Sequence, residues 1–344
     1  MLVMWQEMVA MVDQTPNPSR RQVLKGLGVI GGVAAAGGLG AWAAFSDDDG
    51  PGTPAAGASG DTDLDALADA IVPGGPGKDG IPPIDEPKFL SASKVNFLHD
   101  DEPVFGLVRD GDVRAYPQQV LVWHEIVNDT VAGEPISVTY CPLTGTVVGF
   151  TGLPGRPGAT FGTSGKLVNS NLLMYDRPTD SQWPQVPGVA ITGELYGKRL
   201  NTVPLVWTSW RAWREAHPDT TVLSRDTGAL RDYGADPYGS YLGESGYYAS
   251  GDPIFSVQHT DDRFPPKHVV MGVRADNVRL AIDKNLVREE GTVEADVGGT
   301  TVRAEWDDAL ATARVLREDG SEADFMDAMW FCWYAYYPDT RVRA

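Results

Sequence analysis

The clearest periodicity in the chain lies between residues 117 and 150. Pro117 stands at a first helical position and apolar residues follow at Val120, Leu121, Trp123 and Val127, which predicts a short helix ending near Asn128 and Asp129. After the turn-prone Ala132-Gly133-Glu134-Pro135, the residues Ile136, Val138 and Tyr140 alternate with Ser137 and Thr139. That is the pattern of a half-buried strand running to Cys141 and Pro142. Leu64, Leu67, Ala68 and Ile71 give a second helical spacing that stops at Pro73-Gly74. Leu172-Leu173-Met174 reads as a further strand.

The pattern recurs. Gly106 to Ala115 resembles Gly272 to Leu280, and Leu121-Val122, Glu125 and Gly133 match Leu286-Val287, Glu290 and Gly298. Trp210, Trp213, Pro218, Asp219, Thr220 and Val222 align with Trp330, Trp333, Pro338, Asp339, Thr340 and Val342. Each copy reads as a strand pair, a helix, further strands, a tryptophan-bearing helix and a turn into a last strand. The expected architecture is therefore α+β: a strand-rich single domain, 63–344, built from two diverged pseudo-symmetric halves. The first half spans about 104–222 and the second about 269–343, the first carrying an insertion between Phe150 and Leu200. The tryptophans sit three apart on one helix face and belong to the core.

Differences between the copies point to one site in the first half. On this alignment the second copy has Glu289 for His124 and Trp306 for Cys141, and it lacks the insertion. A thiol beside an imidazole is activated as a nucleophile, and the same two groups suit a soft metal, copper or zinc. His124 and Cys141 are thus candidate catalytic or metal-ligating residues, with Glu125 or Asp129 as orienting group or acid/base. Ser164, Asn169, Asp176, Arg177, Trp183 and Gln185 of the insertion are candidate substrate contacts, with Trp183 an apolar wall. The other readings of these residues stay open. Cys141 is an inert core thiol or pairs with Cys332, His124 is a core histidine, and the insertion is a hydrogen-bonded scaffold.

Composition narrows the setting. A net charge of −19 over 344 residues, with few lysines, excludes nucleic acid and anionic membrane surfaces as partners and fits a high-salt, halophilic source. Ser19-Arg20-Arg21-Gln22-Val23-Leu24-Lys25 precedes a mild glycine- and alanine-rich run to Phe45, the layout of a twin-arginine export signal over 1–45. Uncleaved, that run is the one membrane contact expected; a start at Met11 would give a more ordinary leader. Residues 46–62, rich in Asp, Gly, Pro and Ala, read as a disordered tether.

The strings WHEIVND (Trp123 to Asp129), TYCPLTGT (Thr139 to Thr146), FGTSGKLVNSNLLMYDR (Phe161 to Arg177), SQWPQ (Ser181 to Gln185) and DGIPPID (Asp79 to Asp85) resemble the family known as domain of unknown function 3179. The resemblance implies a family and no activity. Some relatives carry a second cysteine three positions after the first; here that position is Thr144. Two function classes follow: an exported metal- or thiol-dependent protein, redox or hydrolytic, and a non-catalytic surface module that binds a small molecule, glycan or protein partner.

Overall fold

The computed structural model describes residues 63–344 other than Asp276; the export segment and the tether expected from the sequence lie outside the described residues. Strands dominate. The helices have four to seven residues, Gln118–Leu121 and Trp210–Ala216 among them, which is too short to build a helical layer. The strands form five small sheets in a five-bladed β-propeller arrangement, which overturns the expected α+β domain of two halves. No helix among the described residues is long and apolar enough to cross a membrane.

The chain builds the blades by leaving and returning. Pro103–Arg109 and Asp112–Pro117 start one sheet, and Ile126–Val131, Glu134–Cys141 and Thr146–Thr151 form a second. The insertion is itself a blade: Phe161–Val168, Asn171–Asp176 and Gln182–Pro184 pair antiparallel, with Val72–Pro73 on the far edge. Asn201–Val203 then closes the second sheet, and Val206–Ser209 and Thr221–Leu223 rejoin the first, which Phe89–Ser91 extends. Val269–Ala275 and Val278–Asp283 open the fourth sheet, Thr292–Val297, Thr300–Asp307 and Thr312–Arg317 make the fifth, and Phe325–Met329 and Arg341–Arg343 return to the fourth.

The sequence repeat marks like blades within this ring. The first and fourth sheets share an antiparallel outer strand (Val206–Ser209; Phe325–Met329), the helix after it, and a parallel strand on the other side. Trp213 donates to Thr220 Oγ1 at 3.0 Å and Trp333 to Thr340 Oγ1 at 2.9 Å. Each indole lies on a glycine: a Cβ on Gly106 would come within 2.1 Å of the Trp213 ring, and one on Gly272 within 2.2 Å of Trp333. The glycines are what let the rings reach the sheets.

Packing between blades also corrects the half-buried strand. Ile136, Val138 and Tyr140 are buried, but so are Ser137 and Thr139. The Ser137 hydroxyl donates to Asn128 Oδ1 at 2.7 Å, and Thr139 donates to the Val148 carbonyl at 2.7 Å, so both polar side chains are satisfied inside. The predicted helix is likewise shorter than the apolar spacing implies. It stops at Leu121, and Ile126 already belongs to a strand.

Candidate functional site

Glu125 makes the transition. Its backbone N–H donates to Leu121 O at 2.7 Å, and its own φ is +59°, the left-handed region. The chain thereby turns from helix into the Ile126–Val131 strand, and the Glu125 carbonyl accepts from Tyr140 N–H at 2.8 Å. Since Ile126 pairs with Thr139, Glu125 lies at the end of the hairpin where the Glu134–Cys141 strand delivers Cys141. The like blade repeats this geometry at Gly291: φ +75°, N–H to Val287 O at 2.9 Å, carbonyl accepting from Trp306 N–H at 2.8 Å. The structural counterpart of Glu125 is therefore Gly291, one residue beyond the Glu290 of the sequence alignment, and that of Cys141 is Asp307.

Cys141 and Cys332 are both free thiols and both fully buried. Thr144 N–H donates to the Cys141 carbonyl at 3.3 Å, closing a turn, and the Thr144 hydroxyl meets Thr146 Oγ1 at 2.9 Å. Cys141 Sγ faces the Ser170 carbonyl at 3.9 Å. Beneath the turn, Thr139, Thr144, Thr146, Asn171 and Gln185 form a closed network; Asn171 Nδ2 reaches Thr144 Oγ1 at 2.9 Å and Gln185 Oε1 at 2.9 Å. Tyr238 and Tyr247 cover the site from the segment between Leu223 and Val269, and Tyr247 donates to Leu143 O at 2.6 Å.

The electrostatics of this cluster are those of a dry enclosure. Burial pushes the Glu125 carboxyl up to about 8, with no hydrogen bond or ion pair to that carboxyl among the described residues. Burial, and after it the negative charge of Glu125, push the Cys141 thiol up to about 12. Burial, and next the Glu125 charge, raise the Tyr238 phenol; burial, then the Cys141 charge, raise Cys332. Every group is held toward its neutral form.

His124 is not Cys141's partner. Its Nδ1 lies 2.7 Å from the Pro82 carbonyl, which only accepts, so Nδ1 carries the proton and Nε2 accepts from the Tyr233 hydroxyl at 2.6 Å. Burial lowers this imidazole to about 4, which keeps it neutral. With both ring nitrogens bonded elsewhere, the expected His124–Cys141 metal pair for copper or zinc is not formed. No group of three or more His, Cys, Asp or Glu among the described residues is placed to hold a metal ion. Asp129 sits in the strand instead, accepting from Tyr116 Oη at 2.7 Å.

The insertion residues divide: Asn169 and Gln185 lie beside the Cys141 turn, and the others bond within their own surroundings. Asp176 is fully buried and accepts from Trp183 Nε1 at 2.9 Å and from Thr179, so those two brace their own blade. Ser164 bonds the Leu173 carbonyl across a bulge, and Arg177 pairs with Asp85 at 2.8 Å. Asn169, at φ +52°, binds Gln258 and the Ala335 carbonyl, and Gln185 belongs to the network under the turn. Tyr238 and Tyr247 were missed by sequence reasoning. Their signal was the cluster Tyr233, Tyr238, Tyr241, Tyr247 and Tyr248 in a stretch otherwise reading as loop.

The model of a family described as protein of unknown function (DUF3179) matches residues 78–325. Searches of curated proteins and of solved structures find no match.

Proposed function

Because the chain belongs to that family, whose description carries no activity, the site itself must supply the reading, and we propose a thiol-dependent enzyme in which Cys141 reacts and Glu125 accepts its proton. The observation that supports this is the choice of residue at position 125. The left-handed backbone there is filled by glycine in the like blade, whereas here it carries a side chain, at about 1–2 kcal/mol. That side chain is also a buried carboxyl that makes no hydrogen bond or ion pair among the described residues, a second cost. Glu125 is the only buried carboxylate among the left-handed residues described. Both costs are absent with glycine, and the charge of this carboxyl acts on Cys141.

In the resting site both groups are neutral. As Glu125 ionises near pH 8, its carboxylate takes the thiol proton while sulfur attacks an electrophilic atom of the substrate. Tyr238, a neutral phenol on the same cluster, donates a hydrogen bond to the developing negative charge. The enclosure disfavours charge, so the substrate class is small and uncharged. His124 acts through Tyr233 as a positioning residue, holding the covering segment over the site. The twin-arginine pattern in Ser19 to Lys25 supports an exported setting.

The test uses Cys332→Ala, which leaves Cys141 as the single thiol. Alkylation of the folded chain by iodoacetamide, followed by mass, should accelerate through about pH 8. Adding Glu125→Gln should remove that step and slow the reaction about a hundredfold at pH 8.5. Equal rates with and without the carboxyl would sink the enzyme reading and leave a binding module.

A further inference from the structure

We infer that Cys332 is a second working thiol and that Cys141 and Cys332 are an oxidisable pair that reduces a hydroperoxide. The inference rests on the thiol reading of Cys141 and adds the identity of its substrate class and of its resolving partner.

Two turns hold the thiols in one enclosed space. Met329 N–H donates to Thr144 O at 3.0 Å, which seats the start of the Trp330–Tyr336 helix on the turn that ends the Cys141 strand; Cys332 follows three residues on. From the other side, the Asn169-Ser170 turn touches Cys141 and the helix that carries Cys332. Asn169 Nδ2 donates to Ala335 O at 3.4 Å and Tyr336 Oη to Val168 O at 2.8 Å, while the Ser170 carbonyl meets Cys141 Sγ at 3.9 Å. The sulfurs are near enough for charge on Cys141 to act on the Cys332 thiol, and neither is in a disulfide. The like helix carries Ala212 at the position of Cys332, two residues after Trp210, so the scaffold does not need a thiol there.

The chemistry balances with a hydroperoxide as oxidant. Cys141 sulfur attacks the terminal peroxide oxygen, the O–O bond breaks, and Glu125 takes the thiol proton and passes it to the departing oxygen, which leaves as alcohol or water. Cys141 is then a sulfenic acid. Cys332 sulfur attacks Cys141 sulfur, the S–O bond breaks, and hydroxide leaves as water with the Cys332 proton. Two thiols have become one disulfide, and an external dithiol returns them to the reduced state by exchange. A peroxide is small and uncharged, as the enclosure requires.

The experiment treats the reduced chain with one equivalent of hydrogen peroxide, then denatures, labels with maleimide and measures intact mass. The wild-type chain should lose two hydrogens and take up no label. Cys332→Ala should instead gain one oxygen, trapped by dimedone on Cys141, and Glu125→Gln should react at least about tenfold more slowly. A wild-type chain oxidised at Cys141 with Cys332 still labelled overturns the pair and leaves the thiol reading standing. A Cys332→Ala chain in which Cys141 is inert to both peroxide and iodoacetamide overturns both.

Discussion

His124 and Glu125 are neighbours that burial drives in opposite directions. The imidazole falls to about 4 and the carboxyl rises to about 8, so each is neutral near pH 7. For His124 the unfolded chain takes up a proton near 6.5 that the folded chain refuses until about 4. Stability from the neutral ring is thus full above pH 6.5 and is lost as pH falls toward 4, by up to roughly 3 kcal/mol. His124→Gln keeps a donor for Pro82 O and an acceptor for Tyr233 and does not titrate. It should fold at pH 7 and lose that part of the acid slope in urea denaturation; an unchanged slope would place the titration elsewhere. Sequence spacing paired His124 with Cys141, whereas in the structure both ring nitrogens bond elsewhere. Nothing in the local pattern shows that Pro82, 42 residues earlier, and Tyr233, 109 later, occupy both ring nitrogens.

The elements show where pattern reading succeeds and where it stops. The tryptophan helices and the strands around them were legible because their apolar positions are local. The end of the Gln118–Leu121 helix was not, because the left-handed residue that breaks it is a glutamate; at Gly291 the same break is spelled out. Matching glutamate with glutamate then shifted the alignment by one, and with it the counterpart of Cys141. Close contact of glycine with indole yields the sharpest test at this scale. Gly106→Ala drives a methyl into the Trp213 ring and should cost about 3 kcal/mol in chemical denaturation, as should Gly272→Ala over Trp333. Gly133→Ala, at φ +80° with open space around it, should cost only about 1 kcal/mol. Equal losses at the three positions would contradict the packing described.

At the scale of the whole molecule, four of the five blades are completed by strands paired across long sequence distances, which hydrophobic pattern alone does not encode. The insertion became a blade by taking Val72–Pro73 as its edge strand, and the alternation of Glu134–Cys141 looked half-solvated because buried, hydrogen-bonded Ser137 and Thr139 are indistinguishable in sequence from exposed ones. Burial sets the protonation of Glu125, and that protonation is the central claim. It is tested most directly by the unfolding free energies of the wild-type chain and Glu125→Gln across pH 4 to 9. Differences that do not involve titration of residue 125 cancel as a constant offset. In the unfolded chain Glu125 loses its proton near 4.5, but in the folded chain it keeps it to about 8. The wild-type chain should therefore lose stability relative to Glu125→Gln as pH rises from 4.5 to 8, by up to roughly 5 kcal/mol, and the gap should be constant above that. A difference that stays flat across the whole range would show that Glu125 ionises like an ordinary surface carboxylate and would contradict the site built around it.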